Sequence, residues 1–333
     1  MTIEKLQQVL IGQASFRLKQ AIRLVFVDLI DNWEKASVFP LELRKKLNQE
    51  CPLEIQADFF ISKEQKSGKA IIYLSDGLKI ETALMSHKDG RNTICISSQV
   101  GCPLACKFCA TGKMGFSRNL DYSEILLQII FWGRFLKNKN EKISNVVFMG
   151  MGEPLLNYDN VFKAIKFIND SELFNISSRK IAISTVGLIN EIKKLAMEKI
   201  RVDLAISLHA PSDILRRKII PYSNNYQISK LFEASDFYIK KTNRKVMLEY
   251  LLIKNINDSQ KEASDLARLL SNRKLYFVNL IKYNETGNFK PSDQKNIREF
   301  KNFLLKKGIN VVERYRFNQD VFGACGQMAL KRS

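Results

Sequence analysis

From about residue 92 onward the chain repeats one pattern: a short apolar run, a loop of glycine and polar residues, then an amphipathic stretch. Candidate strands fall at 93–98, 145–149, 180–185, 202–208, 245–253 and 275–281, with a last one at 310–314. Helical periodicity intervenes near 122–137, 158–169, 188–198, 227–241, 258–271 and 292–306. Alternating β and α units of this kind demand a parallel sheet with helices packed outside it. Right-handed crossovers then curl six strands into a partial barrel, so the expected fold class is α/β, a partial (β/α)6 barrel. Such folds gather the C-terminal strand ends on one face and place their chemistry there.

The polar residues obey that rule. The first strand runs into Cys95-Ile-Ser-Ser-Gln-Val-Gly-Cys102-Pro-Leu-Ala-Cys106-Lys-Phe-Cys109, which holds four of the six cysteines. The second runs into Met149-Gly-Met-Gly-Glu-Pro154, where glycines let backbone approach a ligand closely. The third ends in Ser184-Thr185-Val-Gly187, the fourth in Ser207-Leu208-His209, and the sixth runs into Tyr283-Asn284. Ala324-Cys325-Gly326 follows the last strand. Ser and Thr at strand ends are commonly turn caps and a single His is more often structural, so it is the coincidence of all six on one face that points to a site.

The C-x3-C-x2-C spacing at Cys102, Cys106 and Cys109 places three thiolates on one loop. Local cysteine runs of this kind mark iron–sulfur ligation, and three ligands leave the fourth iron of a cubane open for a cofactor. Zinc is the competing reading: a structural site wants four closed ligands, usually from two separated pairs. No second pair exists here, although Cys95 could serve as a fourth ligand. Thr111-Gly112-Lys113 is not a phosphate loop, because Lys107 stands where glycine is needed and Met114 where Ser or Thr is needed.

Before residue 92 the pattern differs. Residues 1–50 read as a small basic helical module, or equally as a helical cap on the main domain. Residues 51–91 read as a β-rich extension, with apolar alternation at 53–59, 70–74 and 78–85 and a turn at Ser75-Asp76-Gly77. Glu81 lies inside one of these strands, where a lone acid usually faces solvent. The barrel is expected over 92–315 and a tail over 316–333. Lys and Arg number 53 against 34 Asp and Glu, a net charge of +19. That balance suits a polyanionic partner such as nucleic acid, although Lys, Ile and Asn are abundant throughout and composition alone would produce it. No apolar run reaches the roughly 18–20 residues of a membrane span. The N-terminus lacks a signal-peptide layout, so a cytoplasmic location with no membrane association is expected.

Taken together, these motifs resemble the RlmN/Cfr family of radical S-adenosylmethionine (SAM) RNA adenine methyltransferases. Besides the cysteine loop, the resemblance rests on Gly115-Phe-Ser-Arg-Asn-Leu120, Met149-Gly-Met-Gly-Glu-Pro-Leu-Leu-Asn157, Ile183-Ser-Thr-Val-Gly187, Leu204-Ala-Ile-Ser-Leu-His-Ala210, Val278-Asn-Leu-Ile281 and Ala324-Cys-Gly-Gln327. Phe16-Arg-x-x-Gln20 matches the family's helical RNA-binding module. The resemblance implies that Cys102, Cys106 and Cys109 ligate a [4Fe–4S] cluster. It implies that Gly152, Glu153, Ser184, Ser207, Leu208, His209 and Asn284 contact SAM, two molecules of which are used per turnover. It gives Cys325 the role of methyl carrier, Cys95 that of its disulfide partner during turnover, and Glu81 that of proton acceptor. Cys51 is left over and is expected to be a small core residue.

The implied substrate is an adenine of 23S rRNA, with some members also modifying tRNA just 3′ of the anticodon. An electron donor such as flavodoxin or ferredoxin is implied as partner, and a monomer is expected. The Pro154-Leu-Leu stretch resembles the carbon-2 branch rather than the carbon-8 branch. Two segments depart from the family pattern: Arg316-Phe-Asn-Gln-Asp320-Val-Phe-Gly-Ala-Cys325 keeps a single acid, and Glu285-Thr-Gly replaces a proline-containing loop. The rival readings are a carbon-8 methyltransferase, a radical SAM enzyme acting on a protein or small molecule, and a non-catalytic RNA-binding protein with a structural metal. The last has no use for Cys95 or Cys325.

Overall fold

Seven parallel strands carry the apolar runs that need cover on both faces, and the rest of the chain is arranged to provide it. The structure, a computed structural model, describes residues 3–62, 67–287, 289–314 and 325–328, apart from the side chains of 224 and 225. Of the expected tail only 325–328 is therefore described, and the atypical stretch with Asp320 lies outside the described residues. The strands are β1 (Ala57–Ile61), β2 (Gly68–Tyr73), β3 (Lys79–Ser86), β4 (Asn92–Cys95), β5 (Gln99–Gly101), β6 (Phe116–Asn119), β7 (Asn145–Phe148), β8 (Ile181–Thr185), β9 (Asp203–Ser207), β10 (Val246–Leu252), β11 (Tyr276–Lys282) and β12 (Val311–Glu313). The helices are α1 (Ile3–Val9), α2 (Phe16–Phe26), α3 (Leu41–Glu50), α4 (Ala110–Lys113), α5 (Tyr122–Lys137), α6 (Tyr158–Asn169), α7 (Ile189–Ala196), α8 (Asp213–Ile219), α9 (Ile228–Thr242), α10 (Gln260–Leu269) and α11 (Gln294–Lys306).

One sheet runs β1-β2-β3-β4-β7-β8-β9-β10-β11-β12. From β4 to β12 every neighbour is parallel, with Ile94 beside Val146, Val146 beside Ile181, Ile183 beside Leu204, Leu204 beside Val246, and Leu248 beside Val278. These branched residues are buried, as strands covered on both faces require. This is the α/β partial barrel that the alternation demands. β1–β3 are antiparallel, and β3 pairs with β4, so residues 57–86 continue the barrel's own sheet. β1 begins at 57 rather than 53 because Leu53 offers its carbonyl to Arg134 of α5 instead of to a strand.

Helix ends follow local chemistry. Asp121 caps α5 by accepting from Ser123 N and Glu124 N, while Glu124 accepts from Asp121 N, which satisfies three otherwise unpaired amides. The N-terminal helices pack on α5 and α6. Glu4 meets Lys163 at 3.0 Å and Tyr122, and Arg134 reaches the carbonyl of Ile30. Trp33 is buried and donates from Nε1 to the carbonyl of Cys51, itself buried, as its expected core role requires. α8 escaped the periodicity reading because seven residues are too few to show a helical repeat. Among the described residues no helix is long and apolar enough to cross a membrane.

Candidate active site

The C-terminal strand ends surround a cavity of about 160 Å³. A single water needs about 10–15 Å³ by this measure, so the space takes a small molecule. Its wall brings together Cys102, Cys106 and Cys109, the strand-end residues Gly152, Glu153, Ser184, Ser207 and His209, and the two remote cysteines Cys95 and Cys325.

The cysteine loop is held from several directions. β5 and β6 pair at its base, and Cys102 N donates to Gly115 O at 2.8 Å. Lys107 N donates to Ile219 O, and Cys109 N to Cys106 O. Ala105 turns the chain at φ +49°. Burial pushes the Cys102 thiol up to about 12 and raises that of Cys106 well above its ordinary value, and each is raised further by neighbouring thiols of the trio. Such a group of mutually repelling, desolvated thiols calls for a cationic partner. Among the described residues no three His, Cys, Asp or Glu side chains converge on one metal ion. Three thiols on one loop, without a second cysteine pair to close a tetrahedral zinc site, suit a cubane, in which each iron takes its own thiolate. The donor set therefore fits a [4Fe–4S] cluster.

On the next strand end, Gly150 and Gly152 let the loop after β7 lie against β4 and β5. A Cβ on Gly150 would stand 2.7 Å from the carbonyl of Ile96, and one on Gly152 2.6 Å from Gln99. Gln99 Oε1 accepts from Glu153 N at 2.8 Å. The Glu153 carboxylate accepts from Leu155 N and Val186 N, and burial lifts it to about 7. His209 follows β9 at φ +55° and its Nδ1 accepts from Leu251 N at 3.1 Å, so Nε2 carries the proton. Burial and the Arg216 cation hold its pKa down to about 3, so the ring is neutral, and it meets Phe108 edge-on at 4.7 Å.

Two predicted residues stand behind the wall. Leu208 is fully buried and receives Arg216 Nε at its carbonyl. Asn284 donates from Nδ2 to Cys325 O at 3.0 Å.

Cys325 is docked through the backbone of the residues that follow it. Gly326 O accepts from Ala110 N at 2.8 Å, and Met328 O accepts from Thr111 Oγ1 at 2.6 Å. The C-terminal segment thus sits on the cysteine loop, with Cys325 exposed at the mouth and Cys95 buried within. The expected disulfide is not formed: all six cysteines are free thiols. Burial raises Cys95 to about 12; Cys325 is exposed as a residue but lines the cavity, where desolvation raises its thiol as well, while the Arg314 guanidinium pulls both down.

Arg314 was invisible to sequence reading, as was its partner Glu249. The two meet at 3.7 Å, and Asn279 Nδ2 donates to both oxygens of Glu249 at 3.2 and 3.0 Å. An acid in the middle of an apolar strand was the available signal for Glu249. Arg216 was also missed: it is buried and crosses from α8 to accept no hydrogen bond but to donate to the carbonyls of Val186, Ser207 and Leu208, tying two strand ends together. Glu81 departs from the solvent-facing expectation. Its side chain has no exposure and lies 3.3 Å from Lys69, and it does not line the cavity.

Known proteins match this arrangement. The radical SAM superfamily profile covers residues 96–267. A probable dual-specificity RNA methyltransferase RlmN from Dictyoglomus thermophilum is 45% identical over 95% of this chain and 91% of its own length. One of the same description from Carboxydothermus hydrogenoformans is 44% identical over 96% and 93%. The crystal structure of a radical SAM methyltransferase from Sphaerobacter thermophilus superposes with a TM-score of 0.93, at 34% identity, over 99% of this chain and 98% of that one.

Proposed function

Because the chain belongs to the RlmN/Cfr family of radical SAM RNA methyltransferases and is of the RlmN type, we propose that it methylates carbon 2 of an adenine in 23S rRNA, and in tRNA as a second substrate, through a methyl group carried on Cys325. The observation that supports this most is the meeting of two free cysteines, far apart in sequence, in one cavity with the three-cysteine loop. An RNA-binding protein with a structural metal needs no such pair.

An adenine ring carbon is too weak a nucleophile for displacement on SAM, whereas a thiolate is a good one. Cys325, at the mouth, takes the first methyl group on its sulfur. Cys102, Cys106 and Cys109 would hold a [4Fe–4S] cluster, and Gly152, Glu153, Ser184, Ser207 and His209 line the place of its SAM, with Leu208 and Asn284 supporting from behind. When bound, that pair would supply the one-electron chemistry that activates the methyl group on the Cys325 sulfur, with no net electron consumed. The Cys325 sulfur then holds a methylene carbon joined to adenine carbon 2. Glu81, buried beside the cavity and outside its lining in the free protein, removes the proton from that carbon once substrate binding opens the wall to it. The Cys95 thiolate attacks the Cys325 sulfur, so a sulfur–sulfur bond forms as the carbon–sulfur bond breaks, and the released carbon takes a proton to become the methyl group. The disulfide is thus a turnover state, and an external reductant restores the two thiols; an electron donor such as flavodoxin or ferredoxin supplies the cluster.

The target base must leave its stack to reach a cavity at the strand ends. A chain with net charge +19 suits an RNA backbone, and binding should weaken steeply with salt. Anaerobic purification followed by intact-mass analysis should show a methyl group on Cys325 together with iron and sulfide. Cys95→Ala should accumulate chain joined to RNA under turnover. Mass spectrometry of the modified nucleoside separates carbon 2 from carbon 8. An unmethylated Cys325 in active preparations would refute the carrier role.

A further inference from the structure

Across the antiparallel pair β2/β3, Lys69 stands opposite Ala83 and Ile71 opposite Glu81. Lys69 and Glu81 are therefore diagonal neighbours on one face, and Nζ lies 3.3 Å from Oε1. Both side chains have zero exposure. The ammonium also lies 5.6 Å from the centre of the Phe60 ring. On the other side of β3, Ala83 pairs with Cys95, and both line the cavity. The ion pair is thus one residue pair away from the wall that carries the resolving cysteine.

A buried ion pair is a poor way to stabilise a fold, because desolvation of both charges offsets their attraction and apolar replacements often do as well. Its position beside the cavity asks for another reason. A carboxyl group buried without a cation has its pKa raised by up to ~3–5 units and is neutral at pH 7, which makes it useless as a base. Groups that meet Glu81 include Lys69 from β2, Ser97 just after β4, and Met151 from the loop after β7. Ser97 Oγ donates to the Glu81 carbonyl and Met151 Sδ accepts its amide, so neither supplies charge to the carboxylate through those bonds.

We propose that Lys69 is a positioning residue for the methyl-transfer reaction: its ammonium keeps Glu81 ionised and aimed, so that the carboxylate can take the proton from the RNA adduct. This rests on the proposed role of Glu81 as proton acceptor. In the step, the carbon–hydrogen bond at the modified ring carbon breaks, its electron pair stays in the ring, the proton forms an O–H bond on Glu81, and Lys69 keeps its charge throughout.

The test compares wild type with Lys69→Met, Lys69→Arg and Glu81→Gln in the reconstituted enzyme. Methylation of Cys325, in which Glu81 has no proposed part, serves as the check on folding. The readout is the fraction of chain joined to RNA through Cys325 during turnover, at pH 7 and pH 9. Glu81→Gln should trap the adduct at both pH values. Lys69→Met should trap it at pH 7, at least tenfold above wild type, and less strongly at pH 9. Lys69→Arg should behave as wild type. Infrared spectra of the purified protein should show a protonated carboxyl group at pH 7 in Lys69→Met that disappears when Glu81→Gln is added. If Glu81→Gln traps adduct and Lys69→Met does not, the Lys69 assignment falls while the base survives. If Glu81→Gln clears adduct normally, the base reading falls and takes the assignment with it. Should Lys69→Met lack Cys325 methylation, the neutral but polar Lys69→Gln is read in the same way. Loss of methylation in both overturns the proposal, since Lys69 then serves the fold.

Discussion

Gly152→Ala offers a sharp check on how the cavity wall is built. Gly152 has φ +102°, and an added Cβ would stand 2.6 Å from Gln99 Cβ, 2.7 Å from Gln99 Cγ and 2.9 Å from Gln99 N. Backbone and side chain both obstruct it, so no rotamer change relieves the clash. The backbone conformation costs an L-residue roughly 1–2 kcal/mol, and overpacking adds about 1–3 kcal/mol. Gly77→Ala is the control: φ is +82° but nothing lies within 4 Å, so only the first cost applies. At on the order of 2 °C per kcal/mol for a chain of this size, Gly152→Ala should lower Tm by about 4–10 °C and Gly77→Ala by about 2–4 °C. Function should separate the two further. Gln99 positions Glu153 through its amide at 2.8 Å and is braced by Asn119 at 2.8 Å, so moving Gln99 disturbs the wall on which SAM is proposed to sit. Equilibrium dialysis of labelled SAM on reconstituted protein should show affinity weakened on the order of tenfold in Gly152→Ala, equivalent to about 1.4 kcal/mol, and unchanged in Gly77→Ala. Two variants that unfold together and bind SAM equally would refute the reasoning.

Other expectations follow from the same geometry. Replacing Cys102, Cys106 or Cys109 singly by Ala should abolish iron retention after anaerobic reconstitution, measured by iron and sulfide content, whereas Cys51→Ala should keep the metal and lose about 1 kcal/mol of stability from its buried site. His209 is held at about 3 against an ordinary value near 6.5. The unfolded chain therefore binds a proton that the folded chain refuses, and stability should fall as pH drops from about 6.5 towards 3, by up to about 1.4 kcal/mol per pH unit. Denaturant titrations of His209→Gln should show a flatter acid limb, and an unchanged limb would count against the neutral buried ring. Arg314→Met removes the cation that pulls Cys95 and Cys325 down. Alkylation of Cys325 followed by mass should slow at fixed pH, by roughly tenfold for each unit by which its pKa rises, and equal rates would refute the coupling.

Local pattern carried much of the molecule. The β/α alternation predicts six parallel strands because a strand buried on both faces must be a continuous apolar run, and Ile94, Val146, Ile183, Leu204, Leu248 and Val278 are just that. The three-cysteine loop is legible because Cys102, Cys106 and Cys109 lie close together in the chain. Strand-end residues such as Glu153, Ser184, Ser207 and His209 follow, since topology alone puts consecutive strand ends on one face.

What the sequence by itself determined about this protein is therefore the set of groups that any parallel barrel brings to its rim. The tertiary structure decided which distant groups meet there and what each one feels. Glu81 reads as a surface acid until β2 covers it and sets Lys69 against it. Arg314 and Glu249 are ordinary charges until β12 is laid beside β11 and the cation comes to face Cys95 and Cys325. Arg216 belongs to a helix too short to show periodicity, yet it ties down the ends of two strands. Ionisation and reactivity depend on burial and on charges brought in from elsewhere in the chain, and neither quantity exists until the chain has closed on itself.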